Sequence, residues 1–173
     1  MNQIKFKDWL LVENHEYSCV MAMIPPPLSS KIITWTSKHV PNEHLTAKGI
    51  ENEPHITVLY GLHTNDFRKI KNLLSDIRLE AKLGVVSKFE SPEFDVLKLE
   101  VESDSFRLLH RKLKTLKFTS DFPTYRPHCT LAYVKKGSCD HLLNNQDFNN
   151  IKIGFNSVLF SPAMGQKVPI TLM

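Results

Sequence analysis

Two short stretches of this 173-residue sequence nearly repeat each other. Residues 54–60 read PHITVLY, and residues 127–133 read PHCTLAY. They share Pro, His, Thr and Tyr at matching positions, and apolar residues fill the rest. A proline fits the start of a strand, where no N–H is needed for the ladder. Both stretches are therefore predicted to be strands that begin at the histidine.

Alternation along these two strands decides which side chains lie together. Successive side chains point to opposite faces, so His55 lies beside Thr57 and His128 lies beside Thr130. If the two strands are neighbours, two imidazoles and two hydroxyls converge. Phosphodiester cleavage needs such a set: a base for the attacking hydroxyl, an acid for the leaving oxygen, and donors for the phosphoryl oxygens. These four residues are the predicted catalytic residues, and histidine suits both proton-transfer roles because its ordinary pKa lies near neutrality.

Other interpretations of the repeat carry less weight. A histidine and a threonine on a half-buried strand are often ordinary hydrogen-bonded residues, but two copies with matched flanks favour a shared function. A third His-x-Thr, at His44 and Thr46, lies in a polar stretch without strand context and is predicted to be inactive. A zinc site would need a third ligand, but no third ligand stands at a recognisable spacing from the two histidines. Threonine is itself a poor zinc ligand. No metal and no cofactor are predicted.

Four tyrosines stand at informative places. Tyr17 begins the first predicted strand and Tyr125 lies just before the second motif, so both are predicted to bind substrate by stacking nucleobases. Tyr60 and Tyr133 fall at odd offsets from their histidines. A regular strand would point them away from the catalytic face, so they are predicted to be structural.

The rest of the pattern predicts an α+β fold in a single domain over residues 1–173. Residues 41–54 are polar with a proline at each end and are predicted to form a loop. No linker divides the chain, so its halves are expected to share one sheet or to pack two sheets together. Strands are predicted over residues 17–24, 55–62, 83–89, 94–101, 128–134, 151–160 and 168–172, and helices over 28–40, 64–79 and 103–118.

Composition limits the possible partners. The net charge of +4 permits an anionic ligand but does not indicate a protein that coats long nucleic acid. Arg126 and the basic residues of helix 103–118 are expected to be solvated. The apolar runs are too short to span a bilayer, and three cysteines disfavour a disulfide framework. Because charges interrupt the amino-terminal segment, no signal peptide is expected there. The expected protein is cytoplasmic and has no membrane partner.

The paired P-H-x-T strings resemble the 2H phosphoesterase superfamily, which is named for two His-x-Thr/Ser motifs related by pseudo-twofold symmetry. The string EPHITVLYG at residues 53–61 looks most like the phage branch that includes the anti-CBASS cyclic-oligonucleotide phosphodiesterases. The resemblance implies a bilobal fold in which pseudo-twofold β-sheets form a central cleft with helices outside. It also implies metal-independent catalysis by His55 and His128, with Thr57 and Thr130 binding the phosphate.

The leading hypothesis is therefore a phosphodiesterase that cleaves cyclic oligonucleotide second messengers, which for a phage-encoded chain means immune evasion in the host cytoplasm. One alternative is an enzyme that acts on RNA 2′,3′-cyclic phosphates or 2′,5′ linkages. Another is a non-catalytic sponge for cyclic nucleotides, although the presence of all four motif residues favours catalysis. The sequence leaves open the bases, the ring size, the linkage, the roles of the two histidines and the oligomeric state.

Overall fold

A computed structural model describes residues 16–120 and 122–172. Residues 1–15 of the charged amino-terminal segment, for which no signal peptide is expected, lie outside these ranges. Strands and helices are interspersed in the α+β arrangement that the sequence predicts. In chain order they are β1 (Ser18–Met23), α1 (Leu28–His39), β2 (Leu45–Ile50), β3 (His55–Leu62), α2 (Phe67–Leu73), β4 (Leu79–Glu90), β5 (Asp95–Glu102), α3 (Asp104–Leu113), β6 (His128–Val134), β7 (Lys152–Phe155), β8 (Ser157–Ser161) and β9 (Val168–Thr171).

The strands form one antiparallel sheet, so the halves of the chain share a sheet. Its order is β7-β4-β5-β6-β3-β1-β8-β9, and β2 pairs separately with β6. The motif strands β3 and β6 lie at the centre. The outer neighbour of β3 is β1, with α1 and then β2 between them in the chain. The outer neighbour of β6 is β5, with α3 between them. This arrangement is the pseudo-twofold symmetry expected from the sequence.

One face of the central strands forms the core. Ile56 and Val58 of β3 and Cys129 and Leu131 of β6 are all buried. They belong to the same cluster as buried residues of all three helices, among them Ile32, Ile70, Phe106 and Leu109. The helices therefore pack on the side that these apolar residues face, and the opposite face of the central strands is left for the histidines.

Two helices are shorter than predicted. Helix α2 starts after Asp66, whose side chain accepts a hydrogen bond from the Arg68 N–H, and it stops at Leu73 rather than Leu79. Asp76 has a φ of 64°, in the left-handed region, which ends the helical path and lets Leu79 open β4. Within the described residues, no helix is long and apolar enough to span a membrane.

The predicted loop at residues 41–54 contains a strand, which corrects that prediction. β2 pairs with β6 through only two residue pairs, Leu45 with Val134 and Ile50 with Ala132, separated by an irregularity. All its residues except the exposed Ala47 are partly buried, so burial does not alternate along the strand. Because a period of two residues is the signal of a strand, this irregular edge strand left no recognisable pattern.

Helix α3 stops at Leu113, and the chain then runs along the end of β3. The Thr119 N–H donates to the Gly61 carbonyl at 2.8 Å, and the His63 N–H donates to the Lys117 carbonyl at 3.0 Å. Gly61 has a φ of 98°, and a Cβ there would lie 1.8 Å from the Thr119 carbonyl oxygen. The glycine is therefore required for residues 117–119 to approach so closely.

We expect Gly61→Ala to lower the free energy of unfolding by about 2 kcal/mol or more, because it combines a left-handed backbone with a clash. Gly154→Ala in β7 is the matched control, since a Cβ there would meet no atom within 4 Å. It should be neutral or slightly stabilising. Urea denaturation of both variants measures the difference. Equal stabilities would contradict the close approach.

Candidate functional site

The two motif strands are direct neighbours. β3 and β6 run antiparallel, with Ile56 paired with Cys129 between the histidine and the threonine of each strand. This register sets each histidine across from the threonine of the other strand. The condition for convergence of the four groups is therefore met. All four predicted catalytic residues line one cleft: His55, Thr57, His128 and Thr130.

Both imidazoles are held in the same way. His55 Nδ1 donates to the Glu53 carbonyl at 2.7 Å, and His128 Nδ1 donates to the Arg126 carbonyl at 2.8 Å. In each case the acceptor lies two residues earlier, with a proline between. Because a carbonyl only accepts, Nδ1 carries the hydrogen and Nε2 is the atom suited to exchange protons with a substrate.

Strand β5 places a buried ion pair next to the second motif. Lys98 pairs with Thr130 across the ladder and Glu100 pairs with His128. Lys98 Nζ donates to Glu100 Oε1 at 2.5 Å and to Ser87 Oγ at 2.6 Å. Burial alone would raise the pKa of Glu100, but the hydrogen bonds from Lys98 and Ser87 lower it. The carboxylate stays charged and neutralises a lysine that is only 3% exposed.

Strand β1, which flanks the first motif, carries no charged residue that would correspond to the ion pair on β5. The positions that correspond by the pseudo-twofold symmetry are Met21, which pairs with Thr57, and Met23, which pairs with His55. One histidine therefore has a charged neighbouring strand and the other has an apolar one. The geometry of the site is symmetric, but its electrostatics are not.

Burial lowers the pKa of His128 from 6.5 to about 4, which keeps this imidazole neutral at pH 7. The hydrogen bond to the Arg126 carbonyl opposes the shift. The positive charges of Lys98 and His55 lower the pKa of His128 further, and the Glu100 carboxylate raises it. A neutral imidazole with hydrogen on Nδ1 presents a lone pair at Nε2, which is the form that a general base requires.

The His128 ring should titrate near pH 4 when its C–H resonances are followed by NMR, with the assignment taken from His128→Asn. Lys98→Met should raise this pKa because it removes a neighbouring positive charge. Lys31→Met, at an exposed position of α1, should not change it. An imidazole that titrates at 6.5 or above would contradict the assignment.

The same shift predicts a pH dependence of stability. Between pH 6.5 and about 4, the unfolded chain binds a proton at His128 that the folded chain does not bind. The free energy of unfolding should therefore fall as the pH decreases through this window. His128→Asn should show a shallower fall in urea denaturation at matched pH values.

Two β-bulges correct the prediction for Tyr60 and Tyr133. The ladder between β1 and β3 skips Val58, and the ladder between β5 and β6 skips Leu131. An extra residue reverses the alternation, so both tyrosines return to the face of the histidines and line the cleft. The shared tyrosine of the two motifs was the sequence signal, but alternation in a regular strand assigned it to the wrong face.

Tyr17, which is predicted to stack a nucleobase, lines the cleft and stacks on a histidine of the chain itself. Its ring centroid lies 4.8 Å from that of His63, with 19° between the planes, and it meets Tyr60 edge-on at 6.3 Å. His63 Nε2 is 2.7 Å from Thr119 Oγ1. This residue, which no sequence pattern singled out, ties Tyr17 to the segment that runs along the end of β3.

Tyr125 also lines the cleft, and its hydroxyl and one face of its ring contact the protein. Its hydroxyl donates to the Thr57 carbonyl at 2.8 Å, and its ring stacks on His110 of α3 at 4.0 Å with 5° between the planes. His110 Nδ1 donates in turn to the Val58 carbonyl at 2.8 Å. The sequence pattern did not indicate His110, because a polar residue on an amphipathic helix is expected on its solvent-exposed face.

The cleft is aromatic over much of its wall. It has a volume of about 660 Å³, within the range of about 300–1,000 Å³ typical of small-molecule sites. All four tyrosines of the chain line it, together with Phe89, Phe94 and Phe122. Phe122 at the rim is 65% exposed. Aromatic faces of this kind suit the stacking of nucleobases beside a reacting phosphate.

The remaining candidates lie elsewhere. His44 of the third His-x-Thr faces the Cys139 thiol at 3.9 Å between Sγ and Nδ1 and does not line the cleft. Cys129 points into the core, and burial raises the pKa of its thiol to about 12. In residues 16–120 and 122–172, no cluster of three His, Cys, Asp or Glu residues is placed to hold a metal ion.

Solved structures of other proteins share this fold. Usb1 from Kluyveromyces marxianus aligns with a TM-score of 0.62 at 11% identity, covering 93% of this chain and 100% of that chain. Escherichia coli LigT complexed with NADP+ aligns with a TM-score of 0.61 at 18% identity, covering 91% and 95%. LigT complexed with 3′-AMP gives 0.59 at 16% identity, covering 91% and 94%. The fold expected from the resemblance, that of the 2H phosphoesterases, is confirmed.

The family model of the anti-CBASS protein Acb1 matches residues 28–163, a stretch that includes both motifs and all three helices. The branch expected from the sequence is thereby confirmed. No curated protein matches the chain significantly. The family and the fold agree with the predicted class of enzyme, a phosphodiester hydrolase.

Proposed function

Because the chain belongs to the anti-CBASS protein Acb1 family, we propose that it is a metal-independent phosphodiesterase that cleaves cyclic oligonucleotides by paired-histidine acid–base catalysis. The observation that carries the proposal is the convergence of two identically anchored imidazoles and two threonines in one aromatic cleft. These groups supply a base, an acid and phosphate donors from the chain itself. Family membership also supports action against CBASS signalling in a host cytoplasm.

The two histidines take different roles in this mechanism. His128, neutral at pH 7, accepts the proton of the ribose 2′-hydroxyl. The oxygen attacks the phosphorus, the bond to the 5′ oxygen breaks, and His55 donates a proton to that oxygen. Thr57 and Thr130 donate hydrogen bonds to the non-bridging oxygens. The products are a 2′,3′-cyclic phosphate and a 5′-hydroxyl. The anionic substrate raises the pKa of His128 from its low value toward the working pH.

The aromatic wall supports a nucleotide rather than a simple phosphate ester as the substrate. Tyr17 and Tyr125 are proposed to stack bases, each with one ring face supported by a histidine. A supported ring loses little freedom on binding, which favours affinity. Each stacked base typically contributes about 1–3 kcal/mol.

The direct test incubates the protein in EDTA with cyclic di- and trinucleotides, 2′,5′-oligoadenylate and a 2′,3′-cyclic nucleotide, with products read by mass spectrometry. We expect cleavage of a cyclic oligonucleotide and no cleavage of its analogue with a 2′-deoxyribose at the reacting sugar. Equal rates on the two would refute attack by the 2′-hydroxyl. Turnover that requires added metal would refute the metal-free mechanism. Binding without cleavage would indicate a sponge, and preference for the 2′,3′-cyclic or 2′,5′ compound would indicate the RNA-directed enzyme.

Substitutions test whether the four motif residues take part in catalysis. His55→Ala and His128→Ala should each slow cleavage by about 10²–10⁴-fold, the usual contribution of a positioned acid or base. Thr57→Val and Thr130→Val should cost less, since each removes one donor of several. The control is His44→Ala, which alters the third His-x-Thr outside the cleft and should be silent.

A substrate with a good leaving group separates acid from base. Uridine 3′-(p-nitrophenyl phosphate) releases an anion that needs no proton, so the general acid becomes dispensable. His55→Ala should then recover most of its lost rate, whereas His128→Ala should stay impaired. The opposite result would exchange the two roles, and equal impairment of both variants would show that neither residue acts mainly as the acid.

A further inference from the structure

A second cavity adjoins the catalytic cleft on the side of β4 and β5. It has a volume of about 310 Å³ and shares two lining residues with the cleft, Phe89 and Arg126. Phe89 meets the His128 ring edge-on at 4.8 Å. Arg126 is the residue whose carbonyl orients His128. The cavity is therefore adjacent to the place where the reacting phosphate would bind.

The cations around this cavity differ in whether they are already paired. Lys98 is neutralised by Glu100 at 2.5 Å. Lys88 binds Asp140 at 2.7 Å and Asp95 at 3.1 Å. These two lysines therefore add little net attraction for an anion at the cavity.

Two arginines contribute unbalanced charge. Arg107 of α3 and Arg126 line the cavity, and neither guanidinium has a hydrogen bond or ion pair to any residue that the structure describes. Of the nearby carboxylates, Glu102 is held by Lys82 at 2.5 Å, and Glu100, which lines the cavity, is held by Lys98. Guanidinium groups bind phosphate oxygens in a two-pronged geometry, so two of them over one cavity favour a phosphate.

We propose that this cavity binds a second phosphate of the substrate, the one that is not cleaved, through Arg107 and Arg126. The inference rests on the proposed function, because it assumes that the scissile phosphate lies between His55 and His128. It deepens that function by distinguishing substrates with two or more phosphates from those with one. A cyclic oligonucleotide necessarily carries such a second group, whereas a single 2′,3′-cyclic nucleotide does not.

The test uses two probes that the enzyme cannot cleave by attack of the 2′-hydroxyl. They are the dinucleotides ApA and pApA, each with a 2′-O-methyl group on the sugar next to the internal linkage, and calorimetry measures their binding. The native protein should bind pApA about tenfold more tightly than ApA, or about 1.4 kcal/mol. Arg107→Gln and Arg126→Gln should each reduce this preference to less than threefold.

The matched control is Arg111→Gln, since Arg111 is exposed on the same helix and lines neither cavity. It removes the same charge and should keep the tenfold preference. Absence of a preference in the native protein, or a preference that survives in both cavity variants, would overturn the proposal. Circular dichroism of each variant excludes misfolding as the cause of a loss.

The two proposals fail in distinguishable ways. If the native protein shows the tenfold preference but cleaves no compound of the panel, the second phosphate site is supported and the proposed function is refuted. If the protein cleaves cyclic oligonucleotides but binds pApA and ApA equally, the proposed function is supported and the second phosphate site is refuted. The binding measurement needs no turnover, so each outcome decides one question.

Discussion

The pairing of Ile56 with Cys129 is the contact on which the site depends, because it joins the two halves of the sheet at its centre. Both side chains are fully buried in the core. Burying such side chains is worth about 1.5–3 kcal/mol each, and a slip of the register by one residue would expose them. The same slip would carry the imidazoles into the core. Hydrophobic burial on one face therefore determines where the reactive groups lie on the other.

Thr130 and Lys98 are buried on the face that carries the two histidines, so their polar groups need partners within the protein. Lys98 and Glu100 are stable there because each satisfies the other and Ser87 completes the set. A buried ion pair of this kind is weak evidence for stability, because removal of charges from water costs about as much as their attraction returns. Its more direct effect here is on His128, whose protonation the pair influences with opposite signs. The ion pair is therefore better understood as part of the site than as a support of the fold.

The sequence predicted β3 and β6 to the residue, because a proline precedes each strand and a repeated motif defines its content. It could not predict the bulges at Val58 and Leu131, since a bulge arises from pairing with a neighbouring strand and leaves no local pattern. That is why Tyr60 and Tyr133 were assigned to the wrong face. The irregular strand β2 and the stacking partners of Tyr17 and Tyr125 were missed for the same reason: each depends on contacts between residues distant in the chain.

The contrast between the two strands that flank the motifs has a consequence for how a nucleotide chain is read. A nucleic acid backbone has a chemical polarity, from its 5′ end to its 3′ end. A site with perfect twofold symmetry would accept that backbone equally well in either orientation. Met21 and Met23 on one side and Lys98 and Glu100 on the other remove this equivalence. In the proposed mechanism, only one orientation of the bound strand therefore presents its 2′-hydroxyl to the neutral imidazole of His128.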